Sequence, residues 1–531
     1  MKILIVHCHF ERGGVTQVVD NHVHCLQASD EIDEVALVSG PRQSGLQETT
    51  RSSASIWRIA SLEYDSLRDR SLNVDEQAQN DERAQNDKQA QHTAREIDVR
   101  CRQAGWARQE TVVHWHNHSL GKNAASPLVI KHLADLGYSC LLQIHDFAED
   151  QRPQNWVYLK QSHGCEQASE LDAILYPFGD RLSYATLTTG DAETLVQFGI
   201  HRSRVDVLPN SVRLPTDELP EFEVATHKVR RAFNLPADFR WMLYPVRGIR
   251  RKNLGEFLLM CQLAGRPTIG AMTLMPDTPM EKKSYERWQA VAERCVENVV
   301  FNAAHHEDIQ FVDNLSAASV VVSSSVAEGF GMVFLEPWLA SRSVVARNLP
   351  GVTGDFINHG MRLEHLYDAV QIPGSHSWLT EANRQLQNAK TNAWKDVRRD
   401  VETAQSPSAS DQSISDANEW IDFARLTPAM QIEVLVRFNT DSGFAKEVRD
   451  RNAALCDALV TDARPEIIDY NRNIVAANFG PKNQKQQLLN AYRKAISNEN
   501  IPGTGVQNDQ TMLELVENSR PFYPCRVEQL D

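Results

Sequence analysis

Two glutamates, Glu328 and Glu336, bracket the run Gly-Phe-Gly-Met-Val-Phe-Leu at 329–335. Two glycines let a backbone approach a ligand closely. Two carboxylates can each accept hydrogen bonds from neighbouring hydroxyls, the way sugars and riboses are held. The run follows the stretch VVVSSS, and its pattern predicts a helix opening here, whose free N–H groups favour a phosphate or a sugar hydroxyl. Histidines form the second group. His7 and His9 end one apolar run, His114, His116 and His118 alternate at the end of another, and His145-Asp146 ends a third. Alternate positions on a strand share a face, so these side chains fit a polar pocket. A metal cluster and hydrogen-bonded structural imidazoles are the other readings, and no metal site is expected.

Such groups need a scaffold that presents strand ends. Residues 2–6 (KILIV) read as a buried parallel strand. Gly13-Gly14 follows, and Val15, Val18, Val19, Val23 and Leu26 then repeat at helical spacing. Strands are predicted again at 35–39, 111–114, 140–144, 173–176 and 205–208. A second series runs through 241–246, 299–301, 319–323 and 343–346. This alternation predicts an α/β chain with two doubly wound, Rossmann-like domains, whose ligands bind in a cleft at the strand carboxyl ends. The expected divisions are a first domain at 1–213, a hinge at 214–240, a second domain at 241–400, and a linker and helical region at 401–531. A polar insertion at about 44–110 interrupts the first domain. Its stretch 75–98, with AQND at 78–81 and again at 84–87, reads as an exposed helix with no face to bury. Residues 402–415 read as a polar linker.

Composition narrows the function classes. The chain has 531 residues, 42% hydrophobic and 24% charged, with a formal charge of −15. Its acidity gives no general attraction to nucleic acid or anionic lipid. Nine cysteines without a CxxC pair read as free thiols of a reducing compartment. No apolar stretch approaches the ~20 residues of a membrane helix, so a cytoplasmic protein is expected. Homo-oligomerisation stays open.

The Glu328–Glu336 segment resembles the retaining GT-B glycosyltransferases, in particular glycosyltransferase family 4. The resemblance extends over about 1–355, loosely at first and closely from 241. It implies that Glu328 contacts the transferred sugar and Glu336 the donor ribose. The backbones of Phe330, Gly331 and Met332 would face sugar hydroxyls, with Val333 near the phosphate or ribose. Arg247 and Lys252, five apart after the strand WMLYPV, resemble the family's pyrophosphate-neutralising pair, while Arg250 and Arg251 read as surface charges. A cation aimed at the departing nucleoside diphosphate can matter by roughly 3 kcal/mol. Gly13 and Gly14 resemble the family's donor-phosphate loop. His145 resembles a histidine beside the transferred sugar, which makes it the fourth catalytic candidate with Glu328, Arg247 and Lys252. His9, His116, His118 and Asp146 are the acceptor candidates. Residues 188–212 resemble the stretch before the family's hinge, with Ser211 where PNGV has glycine, and 483–497 is the candidate for its last helix, crossing back to the first domain. No DxD is present, so the expected enzyme is a metal-independent hexosyltransferase. It would require no cofactor and would use UDP- or GDP-hexose as co-substrate. The expected acceptor is a small soluble sugar, sugar acid or polyol. A GT-B epimerase, a phosphorylase, or an enzyme acting on a surface polysaccharide or lipid-linked acceptor are the alternatives.

Overall fold

The computed structural model describes residues 1–27, 29–65, 76–214, 218–395, 419–497 and 509–528. These fall into two compact units. The first is built from Met1–Ser211 and Phe479–Pro521, and the second from Val212–Ala393, 419–478 and 522–528. The expected linker at 402–415 lies outside the described residues. Among the described residues no helix is long and apolar enough to cross a membrane. All nine cysteines are free thiols.

The first unit carries a parallel sheet of seven strands: β1 (Lys2–Val6), β2 (Glu34–Ser39), β3 (Ser55–Arg58), β4 (Thr111–His116), β5 (Ser139–Ile144), β6 (Leu182–Thr186) and β7 (Val205–Val207). Their order is β3-β2-β1-β4-β5-β6-β7. The strand order reverses between β1 and β4, which places a topological switch point there. Helix Gly14–Gln27 leaves β1 and buries Val18, Val19, Val23 and Leu26. Of these, Val19, Val23 and Leu26 join Ile3, Ile5, Leu37, Val112 and Leu141 in one core, completed by Leu488, Leu489 and Tyr492 of helix Pro481–Ser497.

The second unit repeats the plan with six strands: β8 (Arg240–Arg247), β9 (Thr268–Leu274), β10 (Val299–Val300), β11 (Val320–Ser323), β12 (Val344–Arg347) and β13 (Leu366–Tyr367). The order is β10-β9-β8-β11-β12-β13, so its switch point lies between β8 and β11. Helix Leu254–Ala264 is buried on nearly every side. It packs with Leu435 and Phe438 of helix Pro428–Thr440 in the core of this unit. The stretch expected as a hinge contains helix Phe222–Ala232, which packs on helix Phe311–Ala317.

Three expectations need correction. Residues 173–176 are not a strand. A capping box of Gln167 and Glu170 starts helix Ala168–Leu175 there, and the strand of this region is β6. A four-residue apolar run cannot by itself separate strand from helix. The interval 44–110 is not a mere insertion, because its β3 extends the sheet. Its helix Glu76–Gln103 also has a buried face: Ala90, Ala94, Ile97 and Cys101 are all inaccessible, and the helix packs on helix Ser126–Asp135. Small residues at helical spacing make a stripe that hydrophobicity alone underrates.

Candidate functional site

In the second unit the two charged motifs meet across the switch point. Arg247 ends β8, and a single 3₁₀ turn carries Arg250–Lys252. Glu328 lies beyond β11, 76 residues further on. The Lys252 ammonium donates to the Glu328 carboxylate, and both side chains are buried. Burial opposes the charge on Glu328, but Lys252 and Arg251 outweigh it and hold its carboxyl below the usual range.

The turn is held mostly through its backbone. The Tyr244 hydroxyl donates to the Lys252 carbonyl at 2.9 Å, and so does Ser324 Oγ. The amide of Val326 donates to the Arg251 carbonyl at 3.0 Å. Asn253 closes the turn with a left-handed φ of 47°, a conformation asparagine tolerates better than most residues. Its amide nitrogen donates to Glu256 at 3.0 Å, and Glu256 makes a bidentate pair with Arg347, which also binds Asp422. Tyr244, Asn253, Ser324 and Ser325 were not singled out from the sequence. The run of three serines closing an apolar strand was their one visible signal.

Arg250 is not a loose surface charge. Its Nε donates to Glu281 at 3.1 Å and its Nη1 to the Glu528 carbonyl at 2.6 Å. Arg287 in turn grips the Glu528 carboxylate with both terminal nitrogens. The segment 522–528 therefore buttresses the turn from behind. Arg247 reaches outward to Asp277 at 2.7 Å, an exposed pair that a phosphate can displace at little cost.

The segment after Glu328 departs from expectation. In place of one helix there is a 3₁₀ turn, Met332–Phe334, then a four-residue helix, Glu336–Leu339. The macrodipole contribution is correspondingly small. Gly331 has φ +87°, and a Cβ there would meet Phe334 at 2.8 Å and Val352 at 2.9 Å, so this glycine is required by packing. Phe330 and Val333 are buried, and what these positions can offer a ligand is main chain. No charged group among the described residues offsets the burial of Glu336, which pushes its carboxyl up to about 7.

In the first unit, Gly13 and Gly14 stand exposed at the start of helix Gly14–Gln27. A Cβ on Gly14 would meet nothing within 4 Å, so nothing packed around it in the fold demands glycine. Close approach of a ligand backbone or phosphate would. His9 accepts from the Glu11 amide at Nδ1, which leaves Nε2 to donate to the Tyr64 hydroxyl at 2.8 Å. His145 and Asp146 both donate their backbone N–H to the side-chain oxygen of Asn117, and Asp146 pairs with Arg152 at 3.1 Å.

The histidines at the end of β4 do not line an open pocket. His114 and His116 are fully buried and His118 nearly so. Asn117, with φ 55°, breaks the strand alternation, and His118 turns away to the Leu175 carbonyl at 2.8 Å. His116 Nδ1 lies 2.8 Å from His145 Nε2. Burial lowers the His145 imidazole to about 4, against a small opposing pull from Asp146. Burial likewise lowers His114 to about 3 and holds His116 well below its ordinary value.

No family model matches the chain. The mannosylglucosyl-3-phosphoglycerate synthase of Petrotoga mobilis, a glycosyltransferase, is 27% identical over 375 residues, covering 67% of this chain. The match spans 66% of that relative, slightly under two thirds of its length. Among solved structures, Anabaena HepE in complex with UDP-glucose matches over 93% of this chain and 99% of its own, with a TM-score of 0.53 and 11% identity. A sucrose-phosphate synthase from Thermosynechococcus elongatus matches over 93% and 98%, with a TM-score of 0.51 and 14% identity. A Rickettsia africae glycosyltransferase gives the same coverage and TM-score at 13% identity. With a parallel Rossmann-like sheet in each unit and these structural neighbours, the chain has the GT-B fold.

Proposed function

We propose that the chain is a retaining hexosyltransferase that moves a sugar from a UDP- or GDP-hexose to a hydroxyl of a small anionic acceptor. The observation that carries the reading is the Lys252–Glu328 pair, held across the β8–β11 switch point within one turn of half-buried Arg247. Lys252 and Arg247 would stabilise the charge that grows on the departing nucleoside diphosphate. Glu328, kept ionised, would orient the sugar, and Glu336 would accept from the ribose. Transfer would occur on the face the phosphate leaves, with a phosphate oxygen taking the acceptor proton and the protein contributing position and electrostatics. The acceptor class rests on the Petrotoga relative, whose name describes a glycoside of 3-phosphoglycerate.

The test is incubation of the protein with UDP- and GDP-hexoses and glucosyl-3-phosphoglycerate, with and without EDTA. The expected result is an EDTA-resistant product whose new linkage keeps the donor's anomeric configuration by NMR. An inverted product, or activity lost to EDTA and restored specifically by magnesium or manganese, the hard cations that bind donor phosphates, sinks the mechanism. Change of the donor sugar without acceptor would mark an epimerase instead.

Glu336 supplies a pH signature. With its carboxyl near 7, the fraction ionised, and with it donor affinity, rises roughly tenfold from pH 6 to pH 8 if the ribose needs the carboxylate. Calorimetric titration with the free nucleoside diphosphate should show this slope, and Glu336→Gln should flatten it. An unchanged slope in the variant removes Glu336 from the ribose contact.

A further inference from the structure

The mechanism leaves unused a knot of imidazoles inside the first unit. His22 comes from helix Gly14–Gln27, and His114 and His116 come from β4. All three are buried without residual exposure. One ring nitrogen from each lies within 4.8 Å of the other two. Among the described residues, neither ring nitrogen of His22 has a hydrogen-bond partner, nor does Nε2 of His116. A buried polar atom without a partner is rare in a native protein and calls for an explanation, such as an ion. Here three such atoms belong to one cluster.

We propose that His22, His114 and His116 form a binding site for a divalent transition-metal ion of the zinc class. Three imidazole nitrogens, with no carboxylate among them, suit zinc, copper or nickel and not magnesium or calcium, which require oxygen. A neutral imidazole has one lone pair, and those of His22 and His116 have no donor to accept from among the described residues. The hydrogen bonds around His116 and His114 are compatible with ligation. If His116 binds through Nε2, its Nδ1 carries the proton and donates to His145 Nε2 at 2.8 Å. An outer hydrogen bond orients a ligating histidine, and here an imidazole takes the place of the more usual carboxylate or carbonyl. His114 lies 2.9 Å from both the Tyr492 hydroxyl and Gln143 Oε1. It keeps one of these partners and turns the other nitrogen to the ion. Zinc–nitrogen bonds of about 2.0–2.1 Å in tetrahedral geometry bring the nitrogens to about 3.3 Å apart, so the rings, which stack at 28° between His114 and His116 and at 21° between His22 and His114, would have to turn as well as draw together. The ion would pin the helix that begins at Gly13-Gly14 to the central strand beside it. It would not touch donor phosphates, so the site stands or falls independently of the proposed mechanism.

The experiment uses the full chain without a histidine tag. Metal analysis after gel filtration should find a stoichiometric transition metal. Cobalt(II) added to the metal-free, refolded chain should give the intense visible absorption of a four-coordinate site with three imidazoles and one solvent ligand. His22→Leu replaces two unpartnered nitrogens with hydrocarbon and should fold, yet lose both the metal and the cobalt spectrum, while His305→Ala keeps both. A wild-type chain that neither carries metal nor gives the spectrum overturns the proposal. So does a His22→Leu protein that retains them. If His22→Leu fails to fold, the wild-type cobalt spectrum decides alone.

Discussion

Lys252→Ala should lower turnover by roughly 10²–10³-fold, the usual loss when one preorganised charge or donor is removed from a developing anion. The turn itself should survive. Its carbonyls are held by Tyr244, Ser324 and Val326, and none of those bonds uses the lysine side chain. Glu328 will feel the loss. Burial already opposes its charge, and Lys252 leads the groups that offset this, so the variant's carboxyl should titrate higher. Residual activity should therefore rise with pH more steeply than in the parent. Because the two side chains act as a pair, Lys252→Ala combined with Glu328→Gln should cost less than the sum of the single losses. Steady-state kinetics at several pH values, on protein checked as folded by near-UV circular dichroism, tests all three statements. Near-normal turnover in Lys252→Ala would remove the assignment of this turn to the donor phosphates.

Arg347→Leu should destabilise the second unit by about 3–5 kcal/mol, a large share of the 5–15 kcal/mol of a typical domain. The guanidinium is buried between Glu256, with Nη2 to Oε2 at 2.5 Å, and Asp422, with Nη1 to Oδ2 at 2.9 Å. Removing it strands two carboxylates. Burial already raises the Glu256 carboxyl despite Arg347, and without the arginine it should rise further. A carboxyl whose folded pKa lies above its unfolded value loses stabilisation as pH rises through the folded value. The deficit should thus be smaller at pH 5 than at pH 8. Urea denaturation at both pH values measures it, and Glu256→Gln with Asp422→Asn in the same chain should recover much of the loss. Since Asn253 donates to Glu256, the variant should also bind nucleotide more weakly.

How legible was this in the sequence? The α/β alternation was readable because buried parallel strands are dense in Val, Ile and Leu. β9 was missed. It carries Gly270, whose Cβ would meet Cys261 Sγ at 2.3 Å, and the glycine that makes the close packing there workable also breaks the apolar run. The two charged motifs were visible as strings, but only the strand order shows why residues 76 apart can touch. The histidine end of β4 misled in a different way. Alternation predicts one face but cannot say whether that face is wet, and here a helix from the far end of the chain puts Tyr492 2.9 Å from His114. Asn253 and Arg347 were silent because their roles depend on a left-handed turn and on two carboxylates distant in sequence.

The late arrival of helix Pro481–Ser497 has a consequence for biogenesis. All seven strands of the first sheet are translated before residue 208, yet Leu488, Leu489 and Tyr492 belong to their core. Throughout synthesis of the second unit, one apolar face of that sheet waits without its cover. Such a nascent chain is exposed to aggregation until nearly all of it has left the ribosome. A stop codon anywhere before residue 481 would therefore damage the end of the protein made first.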